Sequence, residues 1–371
     1  MNVPVLLVGN FLSASGGSRG VCEELSLRLA GAGFKVLTTS DQPQRFRRLL
    51  DMITTVYRQR ANYAVAQVDV YSGPAFIWAE TVCACLKWLH KPFVLTLHGG
   101  NLPNFARKNA RRIRRLLKSA DVVTTPSRYL LEQMSDYRTG LRLLPNALDL
   151  SRYPFKLREM AMPSLIWLRA FHEIYNPTLA PKVIQLLAKQ FPQIKLTMVG
   201  VDKGDGSLQR TQVAAMELGV AERIDFPGAV PKAEVPSWLS GADIFLNTTR
   251  VDNTPVSILE AMACGLCVVS TNVGGLPYLL DSEQNGLLVP PDDAPAMAAA
   301  VSRVRREPGL ARRLSQNART KAEECDWSVV LPQWQELFQV IVQSGRSHKS
   351  AVQAEHILKA SRLDKPLNKV P

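Results

Sequence analysis

The 371-residue chain lacks the features of membrane-spanning and disulfide-stabilised proteins. It contains no run of about eighteen uncharged apolar residues, so no spanning helix is predicted. The segment MNVPVLLVGN at the start of the sequence is typical of a strand, and we expect no signal peptide. Six cysteines are too sparse for a secreted disulfide framework. We therefore expect a cytoplasmic protein with reduced thiols.

Two of the cysteines, Cys264 and Cys267, form a C-x-x-C pair, but the second pair that a zinc site would need is missing. They stand at the end of an apolar helical segment and at the start of an apolar strand-like run. We interpret them as buried free thiols with no redox or metal-binding role.

Acidic residues are outnumbered by basic ones, 32 to 45, and the formal net charge is +13. This surplus favours anionic partners such as phospholipid, nucleic acid, a phosphorylated substrate or an acidic polymer. Apolar residues form 46% of the chain and charged residues 21%, proportions that are typical of a globular protein. A chain of this length favours two domains over one.

Short apolar, β-branched runs alternate with amphipathic helical segments in two successive series. The first series is VPVLLVGN, KVLTTS, YAVAQVDVYS, PFVLTLHG, DVVTTPS and LRLLPNAL. The second is SLIWLRAF, KLTMVG, RIDFPGAV, DIFLNTT, LCVVSTNV and GLLVPP. Each series indicates βαβ units with a parallel sheet, so the sequence predicts an α/β protein of two Rossmann-like domains that face each other across a cleft.

The predicted domain boundaries follow from these series. Residues 1–150 form the N-terminal domain, the polar stretch 151–163 forms a linker, residues 164–345 form the C-terminal domain, and 346–371 form a basic, flexible tail. The helical stretch from Trp327 to Val342 either closes the second domain or crosses back to the first, and the sequence leaves both open.

Several polar groups follow predicted strands, where ligands bind in doubly wound sheets. Gly16 and Gly17 precede the first helix and form a weak anion-site pattern; an ordinary strand-to-helix turn explains them equally well. His98 follows a strand in TLHGGN, although a structural role is the commoner one for such a histidine. Arg169 follows SLIWL, where a cation suits a diphosphate or a surface ion pair.

The most informative segment is ADIFLNTTRVDNTPVSILEAMACGLCVVSTNVGGLPYLL, residues 242–280. It indicates a strand, a polar loop, a helix and a second strand. Asp252 and Glu260 stand at the two ends of the strand-to-helix transition, and the backbone amides after Pro255 open the helix, where a phosphate can bind. A buried carboxylate near such a helix can accept hydrogen bonds from two ribose hydroxyls.

This segment resembles the donor-binding signature of the family 4 retaining glycosyltransferases, which have the two-domain GT-B fold. Two acidic residues separated by seven others precede A-M-A-x-G and an apolar strand, here as Asp252, Glu260 and AMACG. NGLLVPPDD follows in the expected order. The glycines of the first domain, TLHGG and LLPNALDL also stand in that order, more loosely, over residues 1 to about 342.

The resemblance implies transfer of a hexose, with retention, from a nucleotide diphosphate sugar to a glycan or lipid-linked acceptor in cell-surface polysaccharide or glycolipid synthesis. It implies neither a metal nor another cofactor. The implied catalytic residues are His98 on the transferred sugar, Asp252 on the sugar hydroxyls, Glu260 on the ribose and Arg169 on the diphosphate. The implied donor-binding residues are Gly16, Gly17, Arg169, Thr254, Pro255, Val256, Ser257 and Glu260.

Two positions depart from the family pattern. Asp252 stands where the family usually has Glu, and no lysine follows Arg169 until Lys182. The diphosphate would then rely on Arg169 alone or borrow Arg250 or Lys203. A sugar-nucleotide epimerase or a phosphorylase of the same architecture, and a non-catalytic sugar-nucleotide-binding protein, remain as alternatives, and the sequence distinguishes neither UDP from GDP nor one acceptor from another.

Two basic amphipathic segments, 44–60 and 105–118, belong to the first domain, which binds the acceptor in similar enzymes. Both combine arginines with aromatic and aliphatic residues, a pattern typical of helices that lie on an anionic membrane surface. Solvated charges outside a buried apolar face explain them equally well. The sequence thus predicts a cytoplasmic protein, with peripheral association at the inner face of the membrane as a hypothesis, and no nucleic-acid partner.

Overall fold

The computed structural model describes residues 3–13 and 20–344, and these residues contain two six-stranded parallel sheets. The strands of the first sheet are β1 Val5–Val8, β2 Val36–Thr39, β3 Val65–Val70, β4 Phe93–Leu97, β5 Val122–Thr125 and β6 Arg142–Leu143, in the order β2-β1-β3-β4-β5-β6. The strands of the second sheet are β7 Ser164–Leu168, β8 Lys195–Val199, β9 Ile224–Gly228, β10 Ile244–Asn247, β11 Cys267–Thr271 and β12 Leu287–Val289, in the order β12-β11-β10-β7-β8-β9. The predicted α/β class with two Rossmann-like domains is confirmed.

Helices connect the strands and cover both faces of each sheet. In the first half they are α1 Val21–Gly31, α2 Arg45–Arg58, α3 Phe76–Trp88, α4 Leu102–Lys108, α5 Ala110–Ser119 and α6 Arg128–Met134. In the second half they are α7 Leu179–Ala188, α8 Ser207–Glu217, α9 Val235–Ser240, α10 Val256–Ala263, α11 Leu276–Leu279, α12 Ala294–Arg306 and α13 Leu310–Glu323, followed by α14 at 327–344. No helix in the described part of the chain is long and apolar enough to cross a bilayer.

The strands are apolar because both of their faces are covered. Every residue of β1, β3, β4, β10 and β11 is buried. Strands of parallel sheets that are buried on both faces appear in sequence as continuous apolar runs, which is why these strands could be recognised. Each sheet thus carries two hydrophobic clusters, one on each face.

The last described helix, α14, belongs by its packing to the first sheet. Its buried residues Trp334, Leu337 and Phe338 share a cluster with Leu7 of β1 and Leu29 of α1. The sequence left the attachment of this helix open, and the predicted boundary of 164–345 includes it in the second domain. Its apolar face instead covers the first sheet, so the chain crosses between the domains twice.

The two crossings lie side by side. Leu148 and Asp326 form a parallel bridge, in which Leu148 N donates to Cys325 O at 2.8 Å and Trp327 N donates to Leu148 O at 3.0 Å. The predicted linker 151–163 packs on the second domain, because Arg158 is 1% exposed and donates to Ala242 O at 2.8 Å. This segment is fixed to the second domain.

Candidate functional site

The carboxyl ends of the two sheets face each other, and the candidate residues lie there. His98 directly follows β4, and Arg169 directly follows β7. Asp252 lies in the loop between β10 and α10, and Glu260 lies on α10. Parallel strands place their following loops at one edge of a sheet, so residues far apart in the sequence meet in one cleft.

The loop after β4 touches the loop that contains Asp252. A Cβ atom placed on Gly100 would lie 2.7 Å from both the backbone carbon and the oxygen of Asp252. On the other side, Cβ atoms at Gly274 and Gly275 would collide with the carbonyl oxygens of Asp252 and Asn253. The 252–253 backbone is therefore held between glycines of both domains, where only residues without a side chain fit.

Further hydrogen bonds join this loop and helix α11 to the first domain. The Ser127 hydroxyl, which caps α6, donates to Asn253 Oδ1, and Asn146 Nδ2 donates to the Thr254 carbonyl at 3.3 Å. The hydroxyl of Tyr278 on α11 donates to Glu132 Oε2 on α6 at 2.7 Å. Both domains thus fix the loop in which the sequence predicts donor binding.

Arg169 pairs with Asp252 and lies over an aromatic ring. Its Nη2 contacts Asp252 Oδ2, and its guanidinium carbon is 4.1 Å from the ring centroid of Tyr175. Its Nε is buried and has no hydrogen-bond partner among the described residues. Burial lowers the pKa of Arg169. A buried guanidinium with an unused donor is suited to bind an anion in the cleft.

Glu260 is buried to 2% exposure and receives two donors on one oxygen. The hydroxyl of Tyr153 donates to Oε1 at 2.6 Å, and Lys232 Nζ pairs with the same atom. A buried acidic side chain without partners would be very unfavourable, and these two donors compensate for the burial of Glu260 inside the domain. The Glu260 hydrogen bond also raises the pKa of Tyr153, after the larger effect of burial.

The start of α10 contains a second unused polar group. Pro255 is the N-cap residue, and Val256 and Ser257 open the helix. Ser257 is 8% exposed, and its hydroxyl has no hydrogen-bond partner among the described residues. A buried hydroxyl beside the first amides of a helix is suited to bind an anion.

In the first domain His98 lies against a carboxylate that sequence reasoning missed. His98 Nε2 is 3.0 Å from Asp69 Oδ1, and the His98 and Tyr71 rings stack at 5.2 Å. Gln67 Nε2 donates to the same Asp69 oxygen at 2.7 Å. A Cβ atom on Gly9 would lie 2.7 Å from Asp69 Oδ2, so the glycine after β1 leaves room for this carboxylate.

Asp69 remains a carboxylate despite its depth. Burial by itself would raise its pKa, but the charge and hydrogen bond of His98, together with hydrogen bonds from Gln67 and Cys22, lower the pKa below its ordinary value. An ionised acceptor on Nε2 fixes the orientation of the His98 ring. Nothing in the run YAVAQVDVYS separates Asp69 from an ordinary strand residue, because its partner lies 29 residues away.

Gly16 and Gly17 lie outside the described residues. The residues on either side of that segment share one acceptor, Glu23, which is 6% exposed. Ser13 N donates to Glu23 Oε1 at 2.9 Å, and Gly20 N donates to Oε2 at 3.3 Å. Glu23 therefore anchors both ends of the glycine-rich segment.

The two cations that the sequence offers as an alternative source of charge, Arg250 and Lys203, are exposed. Arg250 pairs with Asp292 at 2.8 Å on the surface, and Lys203 is exposed in the loop after β8. Lys232, in the loop after β9, reaches the site through Glu260. Among residues 3–13 and 20–344, no group of three His, Cys, Asp or Glu side chains is placed to hold a metal ion.

Two family models match the chain. The model described as "Glycosyl transferases group 1" matches residues 161–321, and the model described as "Glycosyltransferase Family 4" matches residues 15–152. Together they cover every strand of the two sheets except β1.

Curated relatives are glycosyltransferases. A D-inositol 3-phosphate glycosyltransferase of Corynebacterium jeikeium is 26% identical over 58% of this chain and 55% of its own length. A GDP-mannose-dependent alpha-(1-6)-phosphatidylinositol monomannoside mannosyltransferase of Mycolicibacterium smegmatis is 28% identical over 53% of this chain and 56% of its own length. The matches thus span about half the length of these relatives.

Solved structures share the fold along most of the chain. Sucrose-phosphate synthase from Thermosynechococcus elongatus has a TM-score of 0.77 at 19% identity, covering 92% of this chain and 100% of its own. Anabaena HepE, in complex with UDP-glucose, has a TM-score of 0.72 at 16% identity, covering 91% and 100%.

Proposed function

The chain belongs to the family 4 glycosyltransferases of the GT-B fold, and from this premise we propose that it transfers a hexose from a nucleotide diphosphate sugar to a glycan or lipid-linked acceptor, with retention at the anomeric carbon. The observation that carries the proposal is the contact between Gly100, two residues after His98, and the backbone of Asp252. This contact supports a single reaction centre shared by both domains.

The donor's diphosphate would bind between Arg169 and the start of α10. The unused Nε of Arg169 and the unused hydroxyl of Ser257 support this position. Because Asp252 now neutralises Arg169, the incoming diphosphate would take over the guanidinium as its partner. Asp252 would then be available to the hydroxyls of the donor sugar.

The ribose would bind at Glu260. Both described donors reach its Oε1, so a diol can approach the carboxylate from the Oε2 side and donate two hydrogen bonds. Lys232 would supply a positive charge at the ribose end of the donor in a chain that lacks the family's lysine after Arg169.

The reaction needs no protein nucleophile in this proposal. The bond from the anomeric carbon to the phosphate oxygen breaks, and the acceptor hydroxyl oxygen forms the new bond on the same face of the sugar while its proton passes to the departing phosphate oxygen. Arg169 and the amides of α10 would stabilise the negative charge that develops on the departing diphosphate. His98, held by Asp69, would contact the transferred sugar from the first domain.

Donor-dependent protection from thermal unfolding tests the proposal. UDP and GDP sugars are scanned with the full chain, and one of them is expected to raise Tm because it binds only the folded state. Glu260→Ala should abolish that shift, whereas Glu217→Ala, an exposed carboxylate on α8, should retain it. If no nucleotide sugar raises Tm, the proposal fails; where one does, the anomeric coupling in the product's NMR spectrum reports retention or inversion.

A further inference from the structure

The two basic amphipathic segments of the first domain differ in what they bury. On α5 the apolar residues Ile113, Leu116 and Leu117 are 0%, 4% and 0% exposed, so they belong to the core and leave only charge outside. On α2 the large apolar residues Phe46, Leu50 and Tyr57 are 72%, 47% and 43% exposed. Only the segment 44–60 therefore presents apolar side chains to an external partner.

The exposed apolar residues of α2 form one stripe. Leu50 and Tyr57 follow Phe46 by four and eleven residues, which places all three on the same helical face. On α3, which packs beside α2, the exposed residues Ile77 and Trp88 are also eleven residues apart. The Tyr57 and Trp88 rings stack at 6.0 Å, so the two stripes join into one surface, the α2–α3 surface.

Positive charge borders this surface on both helices. The exposed basic residues are Arg45, Arg47, Arg58, Arg60 and Lys87, and the exposed Arg111, Arg114, Arg115 and Lys118 follow on α5. The acidic groups on these helices are already engaged, since Asp51 accepts from Thr39 at 2.9 Å and Glu80 pairs with Arg112 at 2.5 Å. The net field outside the surface is therefore positive.

The surface leads to the cleft. Because α2 and α3 begin after the carboxyl ends of strands, Phe46 and Ile77 lie at the cleft side. On the inner side of the same helix ends, Arg48 donates to Asn10 Oδ1 at 2.9 Å and lies 5.1 Å from the Trp78 ring. Asn10 and Trp78 line a small cavity together with Asp69, the partner of His98.

We propose that the α2–α3 surface docks on an anionic lipid membrane, with Phe46, Leu50 and Trp88 inserted among the headgroups and the surrounding arginines on lipid phosphates. Aromatic side chains bordered by arginine are the residues that favour the boundary between headgroups and acyl chains. An acceptor anchored in that membrane would reach the cleft at the Phe46 and Ile77 end. The inference rests on the proposed function insofar as it names a membrane-held acceptor.

Vesicle co-sedimentation of the full chain tests the surface without donor or acceptor. The chain should sediment with vesicles of phosphatidylcholine and phosphatidylglycerol, and less with phosphatidylcholine alone or at raised salt. Phe46→Ser with Trp88→Ser should weaken the partitioning by about tenfold. The matched control is Met216→Ser on α8, which removes a side chain of 69% exposure from the second domain and should change nothing.

A second pair of variants separates the helices. We expect the triple variant Arg45→Gln, Arg47→Gln and Arg58→Gln on α2 to bind vesicles more weakly than the triple variant Arg111→Gln, Arg115→Gln and Lys118→Gln on α5. The reason is that α5 can only attract the lipid phosphates by charge, whereas α2 also inserts apolar side chains. Failure of the wild type to sediment overturns the inference, as does unchanged binding of the double serine variant. The inference also fails if the wild type is a dimer, and the double serine variant is a monomer that still binds vesicles. The α2–α3 surface would then be the interface with a second copy of the chain.

Donor binding is measured on the same samples by thermal shift. Vesicle binding without a donor shift would reject the proposed function and leave the surface standing. A donor shift without vesicle binding would reject the surface alone.

Discussion

The two sides of the cleft are built from residues with very different spacing in the sequence. On the donor side Asp252, Ser257 and Glu260 fall within one loop and one helix. On the opposite side Asp69 lies within β3 and His98 directly follows β4, and they meet because β3 and β4 pair in parallel. A contiguous segment can be recognised as a motif, whereas a pair assembled by sheet register cannot.

Each side nevertheless uses the same physical arrangement. A buried acidic side chain is held by a polar or basic partner from another element: His98 for Asp69, and Lys232 and Tyr153 for Glu260. The comparison therefore predicts that the partners matter on both sides, although only the carboxylate Glu260 was visible in the sequence.

The largest loss of activity should come from the side of the cleft that contains Asp69 and His98. Asp69→Asn keeps the shape of the side chain but removes the charge that faces His98, so we expect transfer to fall by about tenfold to a hundredfold, as for other residues that orient a functional histidine. Steady-state rates with a fixed acceptor measure this. In a His98→Ala background, Asp69→Asn should lower the transfer rate only slightly further. If the two substitutions instead lower the rate independently, so that their losses multiply, Asp69 does not act by positioning His98.

The effect of Asp69→Asn on thermal stability should depend on pH, in a direction that the pKa shift of Asp69 predicts. Because the fold lowers the pKa of Asp69, its charged form contributes stability above the ordinary carboxyl pKa, and this contribution is lost as the pH falls through the lowered value. The Tm advantage of the wild type over Asp69→Asn should therefore shrink on acidification. An advantage that grows with acid would contradict the direction of the shift.

A smaller effect is expected on the donor side. Tyr153→Phe removes only the hydroxyl that donates to Glu260, a hydrogen bond worth about 1 kcal/mol, or roughly fivefold in donor affinity. Titration calorimetry with the donor measures it. Tyr63→Phe is the matched control, because the Tyr63 hydroxyl is equally buried but donates to Val56 O in the first domain. If both variants weaken donor binding alike, the effect is general and Tyr153 does not position Glu260.

The fold could be predicted from the sequence because each of the twelve strands falls within one of the runs picked out in the sequence, SLIWL and LCVVSTNV among them. The attachment of α14 could not, since an amphipathic helix fits either sheet and only its packing on Leu7 and Leu29 decides. Tyr153 was hidden for a related reason: it stands in a polar stretch that resembles a linker, and its burial at 3% depends on α10. The roles assigned to Arg169, Asp252 and Glu260 stay predictions until a donor is bound.

The smallest effect concerns Cys264 and Cys267, the second apparent motif of the donor domain, which lies only four residues after Glu260. Both side chains are 0% exposed and unpaired, and burial raises the pKa of Cys264 to about 11 and that of Cys267 to about 12. Few thiolates exist at neutral pH, and the thiolate is the reactive form. Native protein should therefore react with a disulfide reagent chiefly at half-buried Cys85 of the first domain, and the other cysteines should react only after unfolding. Peptide mapping of the labelled chain identifies the cysteine that reacts. Rapid labelling at Cys264 or Cys267 would show that the C-x-x-C pair is chemically active. The segment would then contain two functional groups, this pair and the Asp252–Glu260 motif, whereas the burial of the thiols predicts that only the motif is functional.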